Sequence, residues 1–150
     1  GFTKPASDEM TVADILAQKG SEIPRLVHVH PNETVRDAID ILREFGVSQV
    51  PVVKAEPPVV TAEVVGSIVE RDLLDALFAG RAQLSDPAGQ HMSEPMPMIG
   101  GGQPVSDAVE LLREAVAALV LIDGNPGGVI ARQDLLAYLG AGGNGAGPSN

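Results

Sequence analysis

Two aspartates occupy equivalent places in two similar stretches of the chain. Asp72 lies within Gly66–Leu74 and Asp134 within Gly128–Leu136, and both stretches fit the pattern Gly-x-Ile-x-x-x-Asp-Leu-Leu. A carboxylate at the beginning of a helix can hold a polar ligand, because its oxygens accept hydrogen bonds and the helix amides favour negative charge there. The same carboxylate can instead cap and stabilise its own helix. The sequence leaves both roles open for each aspartate.

Two of the three histidines alternate along an extended segment. His28 and His30 therefore point to one face of that segment. Two imidazoles could ligate a metal ion, but no third ligand follows at a fixed spacing, and His91 lies far along the chain in a linker. The glycine run at 100–102 lacks the Lys-Ser/Thr that completes a phosphate loop, so it predicts a turn. We predict structural or solvent-facing roles for these histidines and no metal site.

Charge and composition narrow the class of protein. The 150 residues include 10 Lys and Arg against 20 Asp and Glu, a formal charge of −10, which excludes polyanionic nucleic acid as a partner. The absence of cysteine excludes disulfides, thiolate zinc sites and cysteine nucleophiles. The longest apolar run, Ala115–Ile122, is too short to span a membrane, and no signal-peptide pattern opens the chain. These features predict a cytoplasmic protein that binds no membrane and has no catalytic machinery of its own.

An internal duplication supplies the elements that must position these residues. Val35–Glu44 and Val105–Glu114 agree at six of ten positions, and apolar residues recur at i, i+3, i+4 and i+7 in both. The spacing predicts two amphipathic helices. Thr34 and Asp37 predict a capping box for the first helix, whereas Pro104 replaces the capping side chain of the second.

Short apolar segments flank each helix and complete the repeat. Leu26–Val29 and Gln49–Val53 surround the first helix, and Met96–Ile99 and Leu119–Ile122 surround the second. With the Gly-led segments and their helices, the order is strand, helix, strand, strand, helix. We predict an α+β (α/β) fold of two βαββα repeats that pack as one pseudo-twofold body, because each repeat alone is too small for a stable core.

The domain boundaries follow from the same repeats. We predict a linker remnant at 1–9, a first repeat at 10–80 that opens with a lead-in helix, a second repeat with its lead-in at 81–139, and a disordered Gly-rich tail at 140–150. The insertion Ala55–Glu63 is expected to form a long hairpin. A homodimer is expected to cover helix stripes around Leu73, Leu77, Leu135 and Leu139.

The combination of these motifs resembles the CBS-domain family, whose tandem pair is called a Bateman module. The helix that ends at Gly46, the run Val47–Val53 and the repeated Asp-Leu-Leu pattern carry the resemblance, which extends over Thr11–Leu139. The chain is also similar to the C-terminal regulatory region of bacterial cystathionine β-synthases. That similarity implies a non-catalytic regulatory module attached to a pyridoxal-phosphate-dependent catalytic domain. It rests on Leu26–Ala38, Ala55–Val59 and Phe78–Ala82.

The resemblance implies an adenosyl ligand between the repeats, S-adenosylmethionine first and AMP or ATP next. In the family, an aspartate that opens the last helix of a repeat binds the ribose, and a Ser/Thr three residues earlier usually assists. Here Val69 and Ala131 replace that hydroxyl residue, which favours the alternative of a ligand-free structural, dimerisation or autoinhibitory module. The better preserved cleft would be lined by Val47, Gln49, Val50, Pro51, Ile130, Ala131 and Asp134, and the secondary cleft by Leu119, Val120 and Asp72.

Overall fold

A computed structural model describes residues 10–19 and 26–140. The predicted linker at 1–9, and the predicted tail apart from its first residue, lie outside the described residues. The described elements, in chain order, are α1 (Val12–Ala17), α2 (Val35–Phe45), β1 (Gln49–Val53), a 3-10 turn (Thr61–Glu63), β2 (Val64–Val69), α3 (Glu70–Phe78), a second 3-10 turn (Ala88–His91), β3 (Met98–Gly100), α4 (Val105–Leu111), β4 (Ala117–Ile122), β5 (Asn125–Ala131) and α5 (Arg132–Tyr138).

The predicted capping box and the predicted glycine stop define helix α2. The Thr34 hydroxyl accepts the Asp37 backbone N–H, and the Asp37 carboxylate accepts the Thr34 backbone N–H. The hydrogen bond that the Thr34 backbone N–H donates to the carboxylate, and then the proximity of the Thr34 hydroxyl, hold the pKa of Asp37 below its usual value. The helix ends at Gly46, whose φ of 62° lies in the left-handed region that glycine adopts without strain. Helix α4 begins at the residue after Pro104 and has no side-chain cap.

The two sheets show the duplication directly. Strands β1 and β2 are antiparallel with Gln49 opposite Val69, and β4 and β5 are antiparallel with Ala117 opposite Ala131. Strand β3 adds a parallel edge to β4, whereas the equivalent contact in the first repeat is one parallel bridge, from Val29 to Val52. The strand predicted at 96–99 begins two residues later, because Pro97 has no N–H to donate to a ladder.

The hairpins of the two repeats differ. Asp123 and Gly124 alone connect β4 to β5, and both have positive φ (54° and 84°), as the tight turns that match strand twist require. In the first repeat no strand forms in the insertion, which is irregular chain followed by a 3-10 turn. The predicted long hairpin is therefore wrong. Pro57 and Pro58 interrupt any ladder there, since neither has an N–H group.

The lead-in helix α1 packs on the second repeat rather than on the first. The backbone N–H groups of Val12 and Ala13 donate to the carbonyl oxygens of Gln103 and Gly101, both at 2.9 Å. Val12 and Ile15 are fully buried in a core made by second-repeat residues. These residues are Ile99, Ala108, Leu112, Ala118, Val120, Ile130 and Leu135.

The linker before the second repeat makes the reciprocal contacts with the first repeat. Ala88 and Gly89 donate their backbone N–H groups to the carbonyl oxygens of Glu33 and Pro31. Ala88 is fully buried in the first-repeat core. Each repeat thus contributes its lead-in to the other repeat's core, so the boundary predicted at 80/81 separates repeats along the chain and not their cores.

Asp86 fastens this linker to the first repeat. Its carbonyl oxygen accepts the Val35 N–H at 2.8 Å, and its carboxylate accepts the Gln83 N–H at 2.9 Å and contacts His91 Nε2 at 2.8 Å. The Gln83 backbone N–H, and then the His91 hydrogen bond, hold the pKa of Asp86 below its usual value.

A third apolar cluster joins the two repeats into one body. It combines Leu26, Val53, Val59 and Val64 of the first repeat with Met96, Ala117 and Leu119 of the second. With the exchanged lead-ins, this cluster confirms the predicted α+β fold of two repeats packed as one body. Among the described helices, none is long and apolar enough to cross a membrane.

Three of the four leucines expected at a dimer interface face inward instead. Leu73 and Leu135 are buried in the two repeat cores, and Leu77 packs against the first core. The neighbouring positions of α3 and α5 are exposed, with Phe78 85% accessible. The stripe that was predicted to be free therefore packs against its own repeat, except at Leu139, which is 46% accessible. The exposed apolar residues of these helices and their ends are Leu74, Phe78, Leu136 and Leu139.

Candidate functional site

Asp134 lies in the first turn of α5 and is largely shielded, with 14% of its side chain accessible. Its Oδ2 accepts the backbone N–H of Ala131 at 2.7 Å, so the carboxylate caps its own helix. The same oxygen lies 3.2 Å from Lys19 Nζ. All hydrogen bonds to this carboxylate from described residues therefore meet at Oδ2, which leaves the lone pairs of Oδ1 for a further donor.

Lys19 is the functional candidate that the sequence did not reveal. It follows α1, and its Nζ also donates to the carbonyl oxygen of Val129 at 2.8 Å. The exchanged lead-in therefore brings a cation to Asp134 from 115 positions away in the sequence. Because a single lysine after a short helix carries no motif, only the packing of α1 on the second repeat could have located it.

Asp72, the equivalent residue of the first repeat, has a different environment. It is exposed in the first turn of α3, and its Oδ2 lies 3.5 Å from Ser93 Oγ, a long hydrogen bond. Among the described residues it has no cationic partner within ion-pair distance. The two carboxylates are thus equivalent in sequence, but they differ in exposure to solvent and in whether a cation lies beside them.

Gln49 is held by a buried hydroxyl next to it on the sheet. Its Nε2 donates to Ser67 Oγ at 3.0 Å, and Ser67, which is fully buried, donates in turn to the carbonyl oxygen of Glu94 at 2.8 Å. Ser67 also exchanges backbone hydrogen bonds with Ser93, the residue that contacts Asp72. Within the described chain, the hydrogen bonds of Gln49 thus lead towards Asp72, and none joins it to Asp134.

The remaining predicted site residues are mainly apolar packing groups. Val50 is buried in the first-repeat core, and Ile130 and Val120 are buried in the second. Leu119 lies in the cluster between the repeats, Pro51 is buried opposite Ser67, and Val47 is half-buried against the first core.

Val69 and Ala131, where the family resemblance leads one to expect Ser or Thr, occupy helix-cap positions. Both precede the first residue of a helix, and neither provides a side-chain cap. Ala131 is half-buried and packs against the cluster between the repeats. A hydroxyl at position 131 would therefore be placed beside Asp134 at the inter-repeat boundary.

A scan against protein-family models places these repeats in a known family. The model of the CBS domain matches residues 12–79 and again 88–141. The chain belongs to the CBS-domain family. The recognition of a tandem CBS pair is thereby confirmed, whereas the similarity to cystathionine β-synthases remains a prediction.

Solved structures of other CBS proteins share this fold. A CBS domain protein from Pyrobaculum aerophilum, complexed with AMP, is 23% identical with a TM-score of 0.68, over 84% of this chain and 90% of that one. A CBS-domain protein from Agrobacterium tumefaciens is 22% identical with a TM-score of 0.68, over 85% and 97%. The CBS domain of a bacterial CNNM/CorC family Mg²⁺ transporter, in complex with ATP, is 20% identical with a TM-score of 0.66, over 87% of each chain.

Proposed function

We propose that this CBS pair is a non-catalytic regulatory module that binds an adenosyl ligand between its repeats. The observation that carries the proposal is the environment of Asp134, a largely shielded carboxylate beside the inter-repeat cluster with a lysine at 3.2 Å. Two solved structures with this fold are described in complex with AMP or ATP, which supports the ligand class. The proposed cleft joins Val47–Pro51 to Ile130, Ala131 and Asp134.

Asp134 is suited to bind the ribose of such a ligand. A carboxylate can accept hydrogen bonds from both hydroxyls of a vicinal diol, and Oδ1 makes no hydrogen bond with the described residues. The capping bond from Ala131 fixes the carboxylate, so little side-chain freedom is lost when a ligand binds. The helix terminus beside it adds amide donors of favourable polarity.

Charge favours S-adenosylmethionine over ATP as the ligand. The chain has a formal charge of −10, and the two residues considered for ribose binding, Asp72 and Asp134, are themselves carboxylates. A sulfonium ligand with a net positive charge is attracted to this field, whereas a triphosphate is repelled. Lys19 now pairs with Asp134. When the ligand binds, Lys19 would leave this ion pair and bind the ligand's carboxylate or phosphate instead.

The proposal extends to the context of the module. The sequence similarity favours a cytoplasmic cystathionine β-synthase of the transsulfuration route, in which ligand binding shifts the orientation of a pyridoxal-phosphate-dependent catalytic domain between two states. A homodimer is proposed as well. Its support is the exposed apolar surface that α3 and α5 present; of the four leucines first expected there, Leu139 alone is exposed.

A second candidate is a structural or autoinhibitory module that binds no ligand. Val69 and Ala131 lack the assisting hydroxyl. Asp134 already binds the Ala131 N–H and Lys19, and these two contacts explain why an aspartate is found there without a ligand. In this case the exchanged lead-ins and the exposed helix faces would serve only to hold the parent enzyme together.

Calorimetric titration of the chain with S-adenosylmethionine, S-adenosylhomocysteine, AMP and ATP distinguishes the candidates. Asp134→Asn keeps an oxygen for the Ala131 N–H but removes the charge. Since a hydrogen bond to a charged group contributes roughly 1.5–3 kcal/mol, we expect about 10- to 150-fold weaker binding. The matched variant Asp72→Asn should bind nearly as wild type does.

Ala131→Thr should tighten binding by about 0.5–1.5 kcal/mol, because it restores a hydroxyl beside the ribose. Absence of heat for wild type and for Ala131→Thr with every ligand would establish the structural candidate. Equal losses in Asp72→Asn and Asp134→Asn would show that the ligand does not occupy the proposed cleft.

A further inference from the structure

The insertion of the first repeat brings a third polar group to the two alternating histidines. One ring nitrogen of His28, one of His30 and a carboxylate oxygen of Glu56 all lie within 4.8 Å of one another. Glu56 follows β1 in the segment that was expected to form a hairpin. The third possible ligand, which no sequence spacing offers, therefore comes from the insertion.

The hydrogen bonds of the two rings indicate which nitrogen of each histidine carries a hydrogen. Nδ1 of His28 lies 2.8 Å from the carbonyl oxygen of Leu26, and Nδ1 of His30 lies 3.0 Å from that of Val53. A carbonyl oxygen only accepts, so each Nδ1 carries the hydrogen and Nε2 is the nitrogen left for a ligand bond. Backbone carbonyls commonly fix the tautomer of metal-binding histidines in this way.

The contact between His30 and Glu56 requires a cation. His30 Nε2 lies 2.9 Å from Glu56 Oε2, and with the hydrogen on Nδ1 a neutral ring would direct a lone pair at the carboxylate. Either a proton on Nε2 or a metal ion relieves this repulsion. A proton on His30 would satisfy that one contact and would leave His28 without a role in the cluster, whereas one metal ion would bind all three groups.

The backbone around the histidines is fixed by hydrogen bonds to β1. Val29, between the two rings, donates its N–H to the carbonyl oxygen of Pro51 and accepts the N–H of Val53. The His30 N–H donates to Glu33 Oε1 at 2.7 Å. Two ligands thus stand on a rigid segment, while Glu56, 81% accessible, can move the short distance needed to close a coordination sphere.

We propose that His28, His30 and Glu56 bind one divalent transition-metal ion, with Zn²⁺ the best match. Two imidazoles and one carboxylate form a nitrogen and oxygen donor set that zinc accepts in tetrahedral geometry, and water completes the fourth position. The ion would join the insertion to the segment that enters the first repeat. Leu26 and Val59, on the two joined segments, both pack in the cluster between the repeats, so the ion would brace that interface.

The test is a competition titration of the 150-residue chain, prepared without a polyhistidine tag, against a chromophoric zinc chelator. Wild type should bind one Zn²⁺ per chain. His28→Gln, His30→Gln and Glu56→Gln should each weaken binding by at least about 10-fold, the smallest loss typical for a group that positions or forms a zinc ligand. His91→Gln removes a histidine that pairs with Asp86 elsewhere and should bind zinc as wild type does.

Co²⁺ in place of Zn²⁺ provides an independent signature. The wild-type complex should show the intense visible absorption of four-coordinate cobalt, and Glu56→Gln should lose it without a change in fold, because the Glu56 side chain is exposed. Wild-type zinc affinity equal to that of His28→Gln would overturn the proposal and leave only a His30–Glu56 ion pair. Equal weakening by His91→Gln would overturn it as well, since it would indicate binding by scattered histidines.

Discussion

Removal of one buried side chain from α1 should destabilise the second repeat, although α1 precedes the first. Ile15 is 1% accessible and packs in the second-repeat core. Ile→Ala in a core costs about 2–5 kcal/mol, and a fully buried site without room to collapse lies in the upper half of that range. We expect Ile15→Ala to lower the free energy of unfolding by about 3.5–5 kcal/mol and the Tm by roughly 7–20 °C.

Urea denaturation gives the loss of stability, and hydrogen exchange shows where it acts. The amides of Val120 and Ile130 should lose protection before those of Val50 and Ile68 in the first-repeat core. The matched control is Leu74→Ala, which also truncates an apolar side chain but at a site that is 51% accessible, so its effect should stay within about 0.5 kcal/mol. A loss of stability in Ile15→Ala no larger than in this control, or early exchange at Val50 and Ile68, would refute the packing of α1 on the second repeat.

Three further changes test other parts of the structure. Gly66→Ala would place Cβ 2.7 Å from the Ser93 carbonyl oxygen and should cost about 1–3 kcal/mol in urea denaturation, whereas Gly102→Ala, with nothing within 4 Å, should be nearly neutral. The lowered pKa of Asp86 stabilises the fold at a pH above the unfolded-state pKa. Asp86→Asn should therefore lower the urea midpoint relative to wild type by its full amount near pH 7, and this difference should vanish as the pH falls through the folded-state pKa. A difference in midpoint that is unchanged at pH 3 would contradict this. Phe78→Ser should shift sedimentation from dimer towards monomer, and a wild-type chain that stays monomeric at high concentration would remove the dimer proposal.

The repeats were predictable because helix periodicity and capping chemistry are local. Val35–Phe45 forms the helix that its apolar spacing and the Thr34–Asp37 capping box predict. The helix ends at Gly46 because glycine adopts the left-handed conformation without strain. The Asp-Gly turn of the second repeat likewise depends on two adjacent residues. Local signals of this kind name the element that forms, and for that reason the CBS family could be recognised before the structure was known.

The surfaces on which those helices pack could not be predicted, because an apolar stripe shows that a helix face is buried but not which residues bury it. The amphipathic lead-in α1 is buried by residues about ninety positions away, and this packing alone brings Lys19 to Asp134. The stripe around Leu73 and Leu77 on α3 was expected at a dimer interface, although the neighbouring Leu74 is equally apolar in sequence. The burial of Leu73 and Leu74 differs only because Leu73 faces the core of its own repeat.

The cluster of His28, His30 and Glu56 shows the same limit. The alternation of the histidines was visible in sequence, and their shared face followed from strand geometry. Glu56 lies in an insertion whose path depends on the packing of Val59 and on the hydrogen bond from the Lys54 N–H to the Glu63 carbonyl oxygen. No spacing rule relates such a residue to the strand before it.

An amide-resolved titration of the chain with S-adenosylmethionine tests the central claim most directly. A ligand between the repeats should shift the amides of two separate segments together, 47–50 in the first repeat and 130–134 in the second, with a common saturation curve. Asp134→Asn should displace that curve to higher ligand concentration by about 10- to 150-fold. Amides that stay unchanged at high ligand concentration, or that shift only around Asp72 and Ser93, would contradict an adenosyl site held by Asp134.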